Sequence, residues 1–148
     1  MISYISNCNV FESCADALVN PENCKGVMGK GIALEFKKRF PEIMQIYKEV
    51  YNNKKLAPGI LLFFRVEFQL DLCEVKKPAL ILFLTKNRWR DKSKMEWIEK
   101  GLIFLKEHYK EWELNSVTMP QIGCGLGGLS GRQVKVVSKN ILQSNLYR

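Results

Sequence analysis

The chain has 148 residues, 47% of them hydrophobic, and carries a net charge of +8. That length suits one domain with a proper core, and no apolar run approaches the ~18 residues of a membrane span. The N-terminus has no basic patch followed by an apolar stretch, which excludes a secretory signal and predicts a cytoplasmic protein without membrane contact.

Residues 4–11 read as a weak strand, and 16–20 as a short apolar strand ending in a polar turn. A glycine-rich loop follows, Asn23-Cys24-Lys25-Gly26-Val27-Met28-Gly29-Lys30-Gly31, and runs into a helix over 31–40 with Ile32, Leu34 and Phe36 among its apolar positions. Pro41 breaks that helix, and 42–51 resumes as a second one with Ile43, Ile46, Tyr47 and Val50 on one side. After a turn at 52–55, residues 59–72 and 78–85 are strand-like. Ser93-Lys94-Met95-Glu96 has the spacing of a capping box, and the helix it opens carries Trp97, Ile98, Gly101, Leu102, Leu105 and Tyr109 as core residues. Residues 116–122 form the next strand. A second glycine-rich loop follows, Gly123-Cys124-Gly125-Leu126-Gly127-Gly128, and Ser130 is placed to cap a last helix with Val134, Val137 and Ile141 inward. Strands alternate with helices, so the expected fold is a three-layer α/β sandwich on a mostly parallel or mixed central sheet. There is no internal repeat, low-complexity segment or linker.

The two glycine loops carry the first functional signal. Glycine lets the backbone approach a ligand closely, and a helix N-terminus adds exposed N–H donors and the positive end of a dipole. Each loop alone reads equally well as a tight strand-to-helix turn. The pair favours a ligand with more than one phosphate, such as a nucleotide diphosphate. In a sheet of this kind both loops would fall beyond the carboxyl ends of the strands, where ligands bind.

Other chemistry is less well supported. The five cysteines, Cys8, Cys14, Cys24, Cys73 and Cys124, are odd in number and form no CxxC, and His108 is the only histidine. A disulfide framework and a zinc site are therefore disfavoured, and neither metal nor cofactor is expected. Cys24 and Cys124 lie inside the glycine loops, but no histidine stands near them in sequence to activate a thiol. The basic balance suits a nucleotide, a nucleic acid or an anionic surface without choosing among them. Lys37-Lys38-Arg39 reads more simply as a solvated helix face.

Three motifs resemble the macrodomain family, within it the branch of the bacterial antitoxin DarG and the human terminal ADP-ribose glycohydrolase. They are Asp16-Ala17-Leu18-Val19-Asn20-Pro21-Glu22-Asn23; Gly26-Val27-Met28-Gly29-Lys30-Gly31-Ile32-Ala33 with Phe36-Lys37-Lys38; and Pro120-Gln121-Ile122-Gly123-Cys124-Gly125-Leu126-Gly127-Gly128-Leu129. The resemblance covers nearly the whole chain and implies one α/β/α macrodomain over 1–148, monomeric, with an ADP-ribose pocket. It implies that the diphosphate is held by the backbone of Gly26, Val27, Met28, Gly29, Lys30 and Gly31 and of Ile122, Gly123, Cys124, Gly125, Leu126 and Gly127. Asn23 then matches the distal-ribose contact, and Asn20 the residue that orders the loop. Asn9, with Val10, stands where many macrodomains have an aspartate reading the adenine amino group. Macrodomains usually continue into a final strand, whereas here 146–148 end the chain, so that strand is expected to be very short or missing.

Lys86, in Leu84-Thr85-Lys86-Asn87-Arg88-Trp89-Arg90, matches the catalytic lysine of the resembling hydrolases. On residues alone it is one of 23 basic side chains. At the mouth of an apolar strand, however, its amine can be partly desolvated toward the neutral, nucleophilic form. The human-type enzyme has an acid where this chain has Gly127. The absence of that general acid shifts the expected substrate from carboxylate-linked ADP-ribose toward ADP-ribose on a nucleobase, whose anion leaves with less help. The expected function is thus a metal-independent glycohydrolase removing ADP-ribose from DNA, thymidine-linked on a single strand, with a cognate ADP-ribosyltransferase toxin as partner. Arg88, Trp89, Arg90 and Lys92 then either hold a DNA strand or form a solvated loop with Trp89 packed back on the domain. Two other readings compete: a non-catalytic ADP-ribose reader, and a hydrolase of small metabolites such as ADP-ribose 1''-phosphate or O-acetyl-ADP-ribose. A general basic nucleic-acid-binding domain leaves the paired glycine loops and Asn20/Asn23 unexplained.

Overall fold

The computed structural model describes residues 2–65 and 77–143. Its central sheet is built from β1 (Ala17–Asn23), β2 (Leu61–Phe64), β3 (Ala79–Lys86) and β4 (Val117–Thr118), in the order β2-β3-β1-β4. β1 runs parallel to both β3 and β4, while β2 pairs antiparallel to β3, so the sheet is mixed. The helices are α1 (Gly31–Arg39), α2 (Glu42–Asn52), α3 (Met95–His108) and α4 (Gly131–Gln143).

β3, and β1 as far as Val19, are continuous apolar runs because both of their faces are covered. Side chains alternate across a strand. Ala17, Val19, Ala79, Ile81 and Phe83 therefore join Ile98, Leu102 and Leu105 of α3 and Val134 of α4 in one core. Leu18, Leu80, Leu82 and Leu84 join Phe36 of α1 and Ile43 and Tyr47 of α2 in the other. This is the expected three-layer arrangement. Gly101 lets α3 close on the sheet: a Cβ there would stand 2.2 Å from Phe83 Cζ and 2.8 Å from Leu61 Cδ1. Gly101→Ala is expected to lower stability by about 1–3 kcal/mol in a denaturant titration, despite alanine's better helix propensity.

Several sequence expectations are corrected. Residues 4–11 form no strand; a 3-10 turn spans Val10–Glu12, and Tyr4 instead donates its hydroxyl to the Lys135 carbonyl of α4 at 3.0 Å. The strand expected at 16–20 extends to Asn23, because β3 offers a parallel ladder along its whole length. The strand expected over 116–122 shrinks to Val117–Thr118; Pro120 has no N–H to give a ladder. The capping box does not form. Lys94 occupies the N-cap without a side-chain bond, and Ser93 is drawn away by its backbone bond to the second glycine loop. Of the strand expected over 59–72, Leu61–Phe64 is seen. Its later part, Cys73 and the final-strand expectation at 146–148 lie outside the described residues.

Candidate active site

The first glycine loop leaves the end of β1 and enters α1. Asn23 organises it: its Nδ2 donates to the Val27 carbonyl at 2.8 Å, and its Oδ1 accepts from the Lys25 N–H at 2.8 Å. From α2, the Tyr47 hydroxyl donates to the Asn23 carbonyl and lies 3.2 Å from its Oδ1. Gly26, at φ +71°, makes the turn where a Cβ would stand 3.2 Å from the Tyr51 ring. The loop-ordering role that the resemblance gives Asn20 is therefore filled mainly by Asn23. One amide N–H of Asn23 remains for a ligand. Asn20 lies in the core beneath, its Nδ2 on Glu22 Oε1 at 3.0 Å and 4.0 Å from Met28 Sδ. Lys30, the N-cap of α1, makes no side-chain cap bond, so the first turn of that helix keeps its donors for an anion.

In the second loop, Gly123 (φ +71°) has its carbonyl bonded to the Leu129 N–H at 3.0 Å. The N–H groups of Gly127 and Gly128 close on the carbonyls of Cys124 and Gly125. The tip, Gly125 and Leu126, faces outward, with Leu126 71% exposed. A Cβ at Gly127 would stand 2.7 Å from Ser93 Oγ, so any side chain there requires the serine hydroxyl to move.

The segment following β3 ties the loops together. The Asn87 carbonyl accepts from the Cys24 N–H at 2.9 Å, and the Ser93 N–H donates to the Gly127 carbonyl at 2.9 Å. Lys86, last in β3, is half-buried and pairs across the ladder with Asn23. Burial pulls its ammonium below the ordinary lysine range and Lys92 adds to this, while Glu22 and Asp91 oppose it. Both glycine loops, Asn23 and Lys86 thus converge at the carboxyl ends of β1 and β3.

Other sequence candidates sit farther out. Asn9 caps the Val10–Glu12 turn by accepting from the Phe11 N–H at 3.0 Å, and Phe11 packs on Phe36 of α1 with ring centroids 4.7 Å apart. Val10 packs against the core cluster that holds Cys24 and Met28 of the first glycine loop, while no described hydrogen bond joins Asn9 to either loop. Arg88, Trp89 and Arg90 form an exposed turn closed by the Arg88 N–H on Asp91 Oδ2 at 3.0 Å. Trp89 is 48% exposed with the Arg90 guanidinium 4.3 Å over its ring, so it is not packed back on the domain. Burial pushes the Cys24 thiol up to about 11 and raises that of Cys124 as well, which keeps both protonated and unreactive near neutrality. Among the described residues, no three His, Cys, Asp or Glu side chains gather where a metal could be held.

Sequence reasoning missed Glu22. It is 2% exposed, on the same sheet face as Asn20, and its Oε2 has no protein partner. Burial raises its carboxyl to about 8, against the lowering influence of Asn20, the Asn23 backbone and Lys86. Among Asn20, Pro21 and Asn23 it reads in sequence as part of a polar strand end, so no local signal marks it as buried.

The Macro domain family model matches residues 19–137. The DNA ADP-ribosyl glycohydrolase of Mycobacterium tuberculosis is 38% identical over 136 residues, which cover 91% of this chain and 37% of that protein. The solved macrodomain of Mycobacterium tuberculosis DarG superposes with a TM-score of 0.85 at 36% identity, over 97% of this chain and 91% of that one. Thermosipho africanus DarTG, solved in complex with ADP-ribose, gives a TM-score of 0.84 at 31% identity over 93% of this chain and 38% of that one. The chain belongs to the macrodomain family and is a DarG-like member of it. It spans little more than a third of the length of the DNA ADP-ribosyl glycohydrolases it matches.

Proposed function

We propose that this domain is an ADP-ribosyl glycohydrolase acting on ADP-ribosylated DNA, with Lys86 as the reacting group. One observation carries the reading: a half-buried lysine ends the strand beside Asn23, and the segment that follows it is bonded to both glycine loops. The uncapped start of α1 and the tip of the second loop offer N–H donors to the diphosphate, and Asn23 presents its remaining amide N–H to the distal ribose. Neutral Lys86 attacks the anomeric carbon of that ribose. A C–N bond to Lys86 forms, and the bond from the anomeric carbon to the base breaks with its electron pair leaving on the base. Water then displaces the lysine and frees ADP-ribose. Glycohydrolase relatives and an ADP-ribose complex in a DarG-like neighbour support the reaction class and the ligand.

Gly127 bears on the substrate. With glycine at 127 the second loop supplies no acid from that position, so the leaving group must tolerate departure as an anion, which favours a thymine base. The test is a substrate panel for the wild-type domain. Release of ADP-ribose is expected from a thymidine-ADP-ribosylated single-stranded oligonucleotide, with rates at least tenfold lower on ADP-ribose 1''-phosphate and O-acetyl-ADP-ribose, roughly the scale of one lost binding contact. Equal turnover of the metabolites would overturn the DNA assignment. ADP-ribose binding without turnover of any substrate would leave a reader.

A further inference from the structure

A groove of about 700 Å³ opens beside the site, beginning at Asn87, the residue after Lys86. Pro58, Lys92 and Lys94 line it, together with Trp97 of α3, which the helical spacing places in the core but which is only partly buried and faces this groove instead. We propose that this groove holds the nucleotides flanking the modified base, with Lys92 and Lys94 on phosphates and the Trp97 ring against a neighbouring base. The inference rests on the DNA reading above and adds the path of the strand.

Position is the first argument. A polymer joined to the distal ribose must leave the pocket past Lys86, and the groove starts at the next residue. Lys92 spans the junction, since its side chain lies against Gly128 of the second loop, where a Cβ would stand 2.9 Å from Lys92 Cδ. Charge is the second. The Lys94 ammonium lies 5.2 Å over the Trp97 ring, placing a cation beside an aromatic face, the pairing that single-stranded nucleic acid uses for phosphate and base together. Asp91 also lines the groove and accepts the Arg88 N–H at 3.0 Å, so one carboxylate stands against two lysines and the lining keeps a net positive charge. Trp97 and Lys94 form a site separate from the Arg88–Trp89–Arg90 turn, which is exposed on the same segment.

The experiment compares two substrates, an ADP-ribosylated thymidine mononucleotide and the same modification within a single-stranded oligonucleotide. The variants are Trp97→Ala and Lys94→Ala, with ADP-ribose affinity confirming that each is folded. Trp97→Ala is expected to raise KM about tenfold for the oligonucleotide and to leave the mononucleotide unchanged. Lys94→Ala is expected to reduce the log–log salt slope of binding to an unmodified oligonucleotide by about 0.7, one phosphate contact to a single strand. Equal effects on both substrates, or none on either, would overturn the groove assignment while leaving the glycohydrolase intact. Should the wild type turn over neither substrate, the functional reading falls. Binding of the unmodified oligonucleotide then decides the groove: weakening by both variants keeps it as a strand site, and indifference, as a peptide-binding groove would give, removes it.

Discussion

Lys86→Ala is expected to lower kcat/KM on the ADP-ribosylated oligonucleotide by about a thousandfold while changing ADP-ribose affinity less than threefold, roughly the signature of a group used in the reaction rather than in binding. The separation follows from the geometry. Lys86 is last in β3, and its strand partner Asn23 is fixed independently by Val27, Lys25 and Tyr47. Truncating Lys86 beyond Cβ therefore leaves both loops in place, because Asn87 and Ser93 hold them by backbone bonds. The wild type should also show activity rising with pH through an ionisation below the ordinary lysine range, since burial, aided by Lys92, favours the neutral amine. Single-turnover kinetics over pH, with ADP-ribose titration of both forms, checks each part. Retained turnover in the variant would remove Lys86 from the chemistry.

Replacing Glu22 by glutamine is expected to stabilise the protein near neutral pH and to do so less and less as pH falls. The carboxyl titrates at about 8 in the fold against 4.5 for an unperturbed glutamate, because burial disfavours its charge. Its pKa is raised on folding, so the unfolded chain releases this proton first. Below pH 4.5 both states are protonated and Glu22 carries no penalty. Between 4.5 and about 8 the penalty grows, and above that it levels off. At pH 7 it amounts to about 3 kcal/mol. Glutamine keeps the acceptor that Asn20 Nδ2 uses, although its new amide N–H groups inherit the unpartnered position of Oε2, at a pH-independent cost of about 1 kcal/mol or more. The decisive quantity is therefore the slope. The Tm difference between Glu22→Gln and wild type should widen by roughly 6–12 °C from pH 4.5 to pH 7. A flat difference would mean that Glu22 ionises normally within the fold.

The sequence shows its local chemistry clearly and its long-range chemistry poorly. Both glycine loops, the alternation of strands and helices, and the inward faces of α2, α3 and α4 are legible because each depends on spacing within one segment. Lys86 is legible by resemblance, and its half-buried place at a strand end is what an apolar run ending in lysine implies. Glu22 is not, because its interest depends on burial, which only the packing of β1 beside β3 and beneath the helices creates. Ser93 misleads for the same reason. Its local spacing is that of a cap, and a backbone bond to Gly127, distant in sequence, overrides it. The weak strand at 4–11 has apolar residues at intervals but no ladder to join, and its Tyr4 reaches α4 instead.

The close fit of Ser93 beneath Gly127 also makes mutational history depend on order. A lineage of this domain that gains an aspartate at 127 first meets the serine hydroxyl 2.7 Å from the new Cβ and must swing it to another rotamer inside a buried pocket. If residue 93 first becomes glycine, the same aspartate enters without that collision. Position 93 thus sets how readily the second loop can gain a side chain at 127, although its hydroxyl need never meet a ligand.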